Sequence, residues 1–262
     1  ADRRDGGARR DIERAYNNFW WDYGTSLTDD NRTSLIVDPP DGRVPGMTAD
    51  ARERARAKRA AGRRPVRSRV VIGSPAYGPE DVGLSERCML GFNSGPPMLP
   101  SAYNNNFMFL QTPDYVAIQV EMIHDTRIIP LDGRSHLPSN VRQWNGDMRG
   151  HWEGDTLVVE TTNFRKKGFL FIPGPTAQGG TNWEPTDALR VVERFTRLDE
   201  ETIDYQVTVI DPAIYTAPWT AQIPLYTEEG LVLYEYACHE GSLSVQNTLS
   251  GGRADDRAAT KR

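Results

Sequence analysis

From Phe107 to Ala237 apolar side chains recur at every second residue in short runs, and turn-forming residues separate most of these runs. Side chains on a strand alternate between two faces, so a period of two predicts half-buried β-strands. The expected strands are Phe107 to Gln111, Tyr115 to Ile123, Thr126 to Ile129, Gly150 to Trp152, Thr156 to Thr162, Arg190 to Arg197, Thr202 to Ile210, Trp219 to Leu225 and Leu231 to Ala237. Turns such as Glu153-Gly154-Asp155, Leu198-Asp199-Glu200 and Glu228-Glu229-Gly230 punctuate them. Parallel neighbours need a crossover of a dozen or more residues, so strands at this short spacing pair antiparallel. The fold expected is mainly β. An antiparallel β-sandwich and a lipocalin-like barrel share this periodicity, and both stay open. Gly168 to Asp187 interrupts the series as a long Gly/Pro-rich insertion, a kind of loop that often carries function.

Upstream the pattern is different. Ile12, Ala15, Tyr16, Phe19 and Tyr23 follow helical spacing between a capping Asp11 and a terminating Gly24, which predicts an amphipathic helix with an aromatic face. Ser34 to Val37 reads as a short strand entering the turn cluster Asp38-Pro39-Pro40-Asp41-Gly42. Thr48 to Ala61 holds strong helix formers and no large apolar side chain, so that helix belongs on a surface. The organisation expected is an extended, partly helical N-terminal arm over 1–75, an antiparallel β domain over 76–253 and a C-terminal tail over 254–262.

Residues 1–69 carry 16 basic and 11 acidic side chains, whereas the remainder carries 15 and 25. A basic arm on an acidic body suits docking to an acidic protein surface or to anionic headgroups. Nucleic acid is disfavoured, because the whole chain has a net charge of −5 and shows no base-reading module. Phe19, Trp20, Trp21, Arg56, Arg59, Arg63 and Arg64 are the expected partner-binding residues. The apolar runs Phe107 to Leu110 and Leu231 to Leu233 fall far short of the roughly 20 residues of a spanning helix, so the chain is not expected to cross a bilayer.

Acid-base chemistry needs a proton carrier beside an oriented partner. Glu121, His124, Asp125, Asp132 and His136 fall within one short stretch and are the densest candidates; of these Glu121, His124, Asp125 and His136 are the catalytic candidates. The plainer reading of Asp132 is an Asx turn over Leu131-Asp132-Gly133-Arg134, with Arg127 or Arg134 pairing to a nearby carboxylate. Four histidines, at 124, 136, 151 and 239, show no metal-site spacing, so no metal and no cofactor is expected. His151 and Glu153 share one strand face. Tyr103-Asn104-Asn105-Asn106 suits either a polar pocket or the cap of an edge strand, because Asn offers donor and acceptor together. Cys88 and Cys238 are too far apart for a CxxC motif, which leaves one long-range disulfide or two buried thiols. No nucleophile elbow or phosphate-binding loop is present.

The blocks IIPLDGRSH at 128–136, GHWEGDTLVVETTNF at 150–164, VVERFTRLDEETIDYQVTVIDPAIYTAPWT at 191–220 and YEYACHEG at 234–241 carry a resemblance. Over roughly 34–253 the chain resembles a large family of uncharacterised exported bacterial proteins with a signal peptide and a β-rich, lipocalin-like or sandwich-like domain. The resemblance implies a periplasmic or otherwise exported location and carries no reaction with it. A chain that starts at Ala1, without an initiator Met, fits processing on export or trimming. The function expected is a non-catalytic accessory or structural subunit that docks through its arm on a larger protein complex, including a membrane-embedded one. The alternatives are a small-molecule lyase, isomerase or hydrolase, or a lipocalin-like carrier, each using a pocket at a barrel mouth.

Overall fold

The computed structural model of the chain describes residues 28, 30–60, 78–91, 93–101, 103–166, 170–172, 181–183, 185–227 and 229–260. The expected helix from Asp11 to Tyr23, and with it Phe19, Trp20 and Trp21, lies outside these residues, as do Arg63, Arg64 and most of Gly168 to Asp187.

Among the described residues, eleven strands and two α-helices follow in order: β1 (Ile36–Asp38), α1 (Ala49–Ala60), β2 (Phe107–Gln111), β3 (Tyr115–Val120), β4 (Thr126–Pro130), β5 (Asp147–Glu153), β6 (Thr156–Thr162), β7 (Leu170–Ile172), β8 (Thr181–Trp183), β9 (Arg190–Arg197), β10 (Thr202–Ile210), β11 (Trp219–Tyr226) and α2 (Ser244–Ala259). One sheet has six strands in the order β1-β11-β10-β9-β6-β5, a second has three in the order β2-β3-β4, and β7 pairs with β8. All pairings within these sheets are antiparallel. The described strands form open sheets and no closed barrel, so the barrel alternative gives way to a sandwich-like fold.

Alternation decides which side chains meet between the sheets. Val116 and Ile118 of β3 and Ile129 of β4 share one buried cluster with Val191 and Phe195 of β9, Tyr205, Val207 and Val209 of β10, and Trp219 of β11. Phe109 meets Phe195 edge-to-face with ring centroids 5.6 Å apart, an arrangement that adds to area burial. At Gly150 a Cβ would lie 2.7 Å from Ile129 Cγ2 and 2.8 Å from Leu131 Cδ2, so only glycine lets β5 pass this close to β4.

The described residues of the 1–75 arm pack on the β domain: Ile36 is buried opposite Ala221 on β11, Thr48 N–H donates to Ile214 O at 2.8 Å, and Ala51 of α1 enters the core. Two strand expectations are corrected. The strand from Tyr115 stops at Val120, because Ile123 and His124 take left-handed conformations, at φ 61° and 46°, in a short 3-10 turn. A β-branched residue pays for that φ in strain of about 1–2 kcal/mol; burial of Met122 and Ile123 against Cys88, Cys238 and Tyr236 offsets it. Leu231 to Ala237 forms no strand, since it pairs with none of the three described sheets. The boundary at 253/254 falls inside α2, whose Val245 and Leu249 pack on Val82. Among the described residues, no helix is long and apolar enough to cross a membrane.

Candidate functional site

The cluster that looked dense in sequence is divided by the fold. Glu121 is buried directly after β3 and is saturated: Asn104 donates to Oε1, Asn106 Nδ2 to Oε2 at 3.3 Å, and the Tyr234 N–H to Oε2 at 3.4 Å. The asparagine run therefore cages a carboxylate. His124 turns outward and donates from Nδ1 to the Tyr236 carbonyl at 3.0 Å. Asp125 accepts from Asn145 Nδ2. Asp132 accepts from the Arg134 N–H at 3.1 Å and from Arg134 Nε, the Asx turn with its ion pair, and Arg134 holds its carboxyl down at about 2.

His136 enters a different network. It sits in the β4–β5 connection, where its Nδ1–H donates to Asp147 Oδ2 at 2.8 Å and its Nε2 lies 3.4 Å from Glu160 Oε1. The register of β5 on β6 places Arg149 opposite Glu160, and Arg149 Nη1 donates to Asp147 Oδ1 at 2.7 Å. Arg190 of β9 donates from Nε to Glu160 Oε2 at 2.7 Å. Two carboxylates and two guanidiniums thus flank one imidazole, and a carboxylate on Nδ1 orients the ring and directs Nε2. Burial works to raise the Asp147 carboxyl, but the Leu137 amide, His136 and Arg149 outweigh it and hold it below the ordinary range. The Arg190 hydrogen bond does the same for Glu160, against burial.

A pH dependence follows with a definite sign. A carboxyl lowered in the folded chain stabilises it above its ordinary value of about 4, and that contribution is lost as pH falls through the lowered value. The Asp147→Asn variant is expected to be less stable than the parent by about 1–3 kcal/mol at neutral pH. In urea titrations the gap closes below about pH 4. A gap independent of pH would contradict the assignment.

A third polar cluster lies between the sheets, and of its members only Arg127 was expected to pair with a carboxylate. Arg127 of β4 and Glu193 of β9 are both fully buried and form a bidentate pair, Nη1 to Oε1 at 3.0 Å and Nη2 to Oε2. Tyr205 of β10 donates to Glu193 Oε1 at 2.8 Å and accepts the Met98 N–H at 2.9 Å. Burial, then the adjacent Glu193 charge, pushes the Tyr205 hydroxyl pKa far up, so it serves as a neutral donor. Every oxygen of Glu193 is satisfied, which makes this a structural lock. Its signal was parity: Glu193 lies between Val191 and Phe195 on the inward face of its strand.

The remaining candidates separate further. His151 and Glu153 do share a face, 3.2 Å apart and exposed, with Arg194 on the far side of Glu153. Arg56 is exposed on α1, and Arg59 lies on the same helix. An open groove lined by Gln111, Trp152, Asp155, Arg197, Leu198 and Glu200 contains none of the four catalytic candidates. Cys88 and Cys238 are joined as a disulfide with 150 residues between them in sequence.

One surface departs from the usual pattern. On the outer face of the three-stranded sheet Leu110, Ala117 and Ile128 lie directly across from one another, with Met108 and Tyr115 beside them. Leu110 is 50% and Ile128 55% exposed. The outer face of the six-stranded sheet instead pairs Thr156 with Thr196, Thr208 with Thr220, and Asp204 with Gln222. Antiparallel sheets with one solvated face normally show the second arrangement. Comparison with family models, curated proteins and solved structures found no match to the chain.

Proposed function

We propose that the protein is an exported, non-catalytic accessory subunit that docks on a larger protein complex, membrane-bound or free. The observation that carries this reading is the apolar outer face of β2, β3 and β4, where Met108, Leu110, Tyr115 and Ile128 remain exposed. Contiguous apolar surface of this kind marks interaction sites. The Cys88–Cys238 bond supports an oxidising compartment, where disulfides persist. The polar candidates support it too, because Glu121, Asp125 and His136 each tie a connecting segment to another part of the fold and Asp132 pairs with Arg134 inside its own turn. The basic face of α1, with Arg56, would add charge to the contact.

A double variant, Leu110→Lys with Ile128→Lys, tests the reading. Both side chains are exposed, so stability is expected to change by less than about 1 kcal/mol. Produced in the native source in place of the parent, the variant is expected to leave the large assembly and sediment alone. Retention in the assembly at the parent level would contradict the docking face.

A further inference from the structure

The geometry points to a second recognition element: Leu231–Tyr236 is a tethered, unpaired segment that captures an extended, apolar strand flanked by Lys and Arg from a partner polypeptide. This deepens the accessory-subunit reading and rests on it.

The segment has strand composition, with Leu231, Val232, Leu233, Tyr234 and Tyr236 in six residues. In the fold it is neither strand, helix, turn nor bend. Val232 is 66% and Tyr234 77% exposed, well beyond what an ordinary core segment shows. Its position is nonetheless held. The Tyr234 N–H reaches Glu121 Oε2, the Tyr236 carbonyl accepts from His124, and the disulfide at Cys238 anchors the far end to Cys88. A tethered extended segment loses less conformational entropy on pairing than a free one. Strand addition then supplies main-chain hydrogen bonds for affinity and alternate side chains for selectivity.

Charge identifies the partner. Glu229, Glu235 and Glu240 bracket the segment, and no Lys or Arg lies between Glu229 and Glu240. Opposite charges across paired strands are favourable and like charges are not. A strand with basic ends is therefore preferred over one with acidic ends.

The probe is a synthetic peptide of alternating Val and Thr with a Lys-Arg pair at each end, beside a counterpart with Glu-Glu ends. Fluorescence anisotropy with the purified protein is expected to show saturable binding of the basic peptide, at least about tenfold tighter than the acidic one and weaker at high salt. Neighbouring N–H groups on a strand point to opposite sides, so Val232→Pro and Leu233→Pro between them remove the donor facing the partner. One of the two is expected to weaken binding about tenfold or more while leaving thermal unfolding of the exposed segment's host fold unchanged. No binding, equal binding of both peptides, or full binding by both proline variants would each overturn the proposal. So would a parent dimer that either proline abolishes, since the occupant would then be a second copy. If the parent resides in a native assembly and both proline variants remain there, the subunit reading stands and the strand proposal falls. If the parent itself sediments alone, the subunit reading falls.

Discussion

Glu193→Ala is expected to cost about 3–5 kcal/mol, because it leaves the Arg127 guanidinium buried without a counter-charge. A domain holds only about 5–15 kcal/mol in total, so this one truncation removes a large share. The cost is that of stranding a charge, not the net worth of the pair. Desolvating both ions consumes most of their attraction, and a well-packed apolar pair of similar volume is often as stable. The combined Arg127→Met and Glu193→Leu variant is therefore expected to lose much less than Glu193→Ala alone. Tyr205 still accepts the Met98 N–H in that variant, although its own proton loses Glu193. Urea unfolding of the single and double variants measures the coupling directly. A loss below 1 kcal/mol for Glu193→Ala would show that the pair is solvated.

Reducing the Cys88–Cys238 bond is the second large effect. Closing a loop over 150 residues restricts the unfolded chain, by about 5 kcal/mol on chain entropy alone. Loss of native disulfides typically costs about 2–5 kcal/mol. The local consequence adds to this, since Cys238 holds the end of the extended segment next to Met122 and Ile123 in their left-handed turn. Thermal unfolding with and without reductant, compared with a Cys88→Ser and Cys238→Ser double variant, is expected to show the same fall in Tm, of several degrees or more. An unchanged Tm on complete reduction would mean that the bond contributes nothing.

Strands that alternate cleanly were legible in the sequence. Phe107–Gln111, Thr156–Thr162, Arg190–Arg197 and Thr202–Ile210 form with the expected bounds, because every second side chain of each turns toward the core. What depends on pairing was not legible. Leu231 to Ala237 has the composition of a strand, and composition does not supply a neighbour. Glycine is a poor helix former, yet Leu249 packing on Val82 holds α2 across Gly251 and Gly252. The site residues divide in the same way. Asn104 and Asn106 lie near Glu121 in sequence and were visible as a polar run. Asp147 and Glu160 join His136 only through the β5–β6 register, and Arg127 meets Glu193 only where two sheets face, 66 residues apart. The apolar outer row of Leu110, Ala117 and Ile128 is likewise a property of three strands in register.

The most direct measurement of the central claim is the mass of the native assembly. The protein would be released from its native envelope and membranes in mild detergent, and its particle mass and composition determined. The account predicts a stoichiometric constituent of a much larger complex. A monodisperse free species of 29.4 kDa would contradict it.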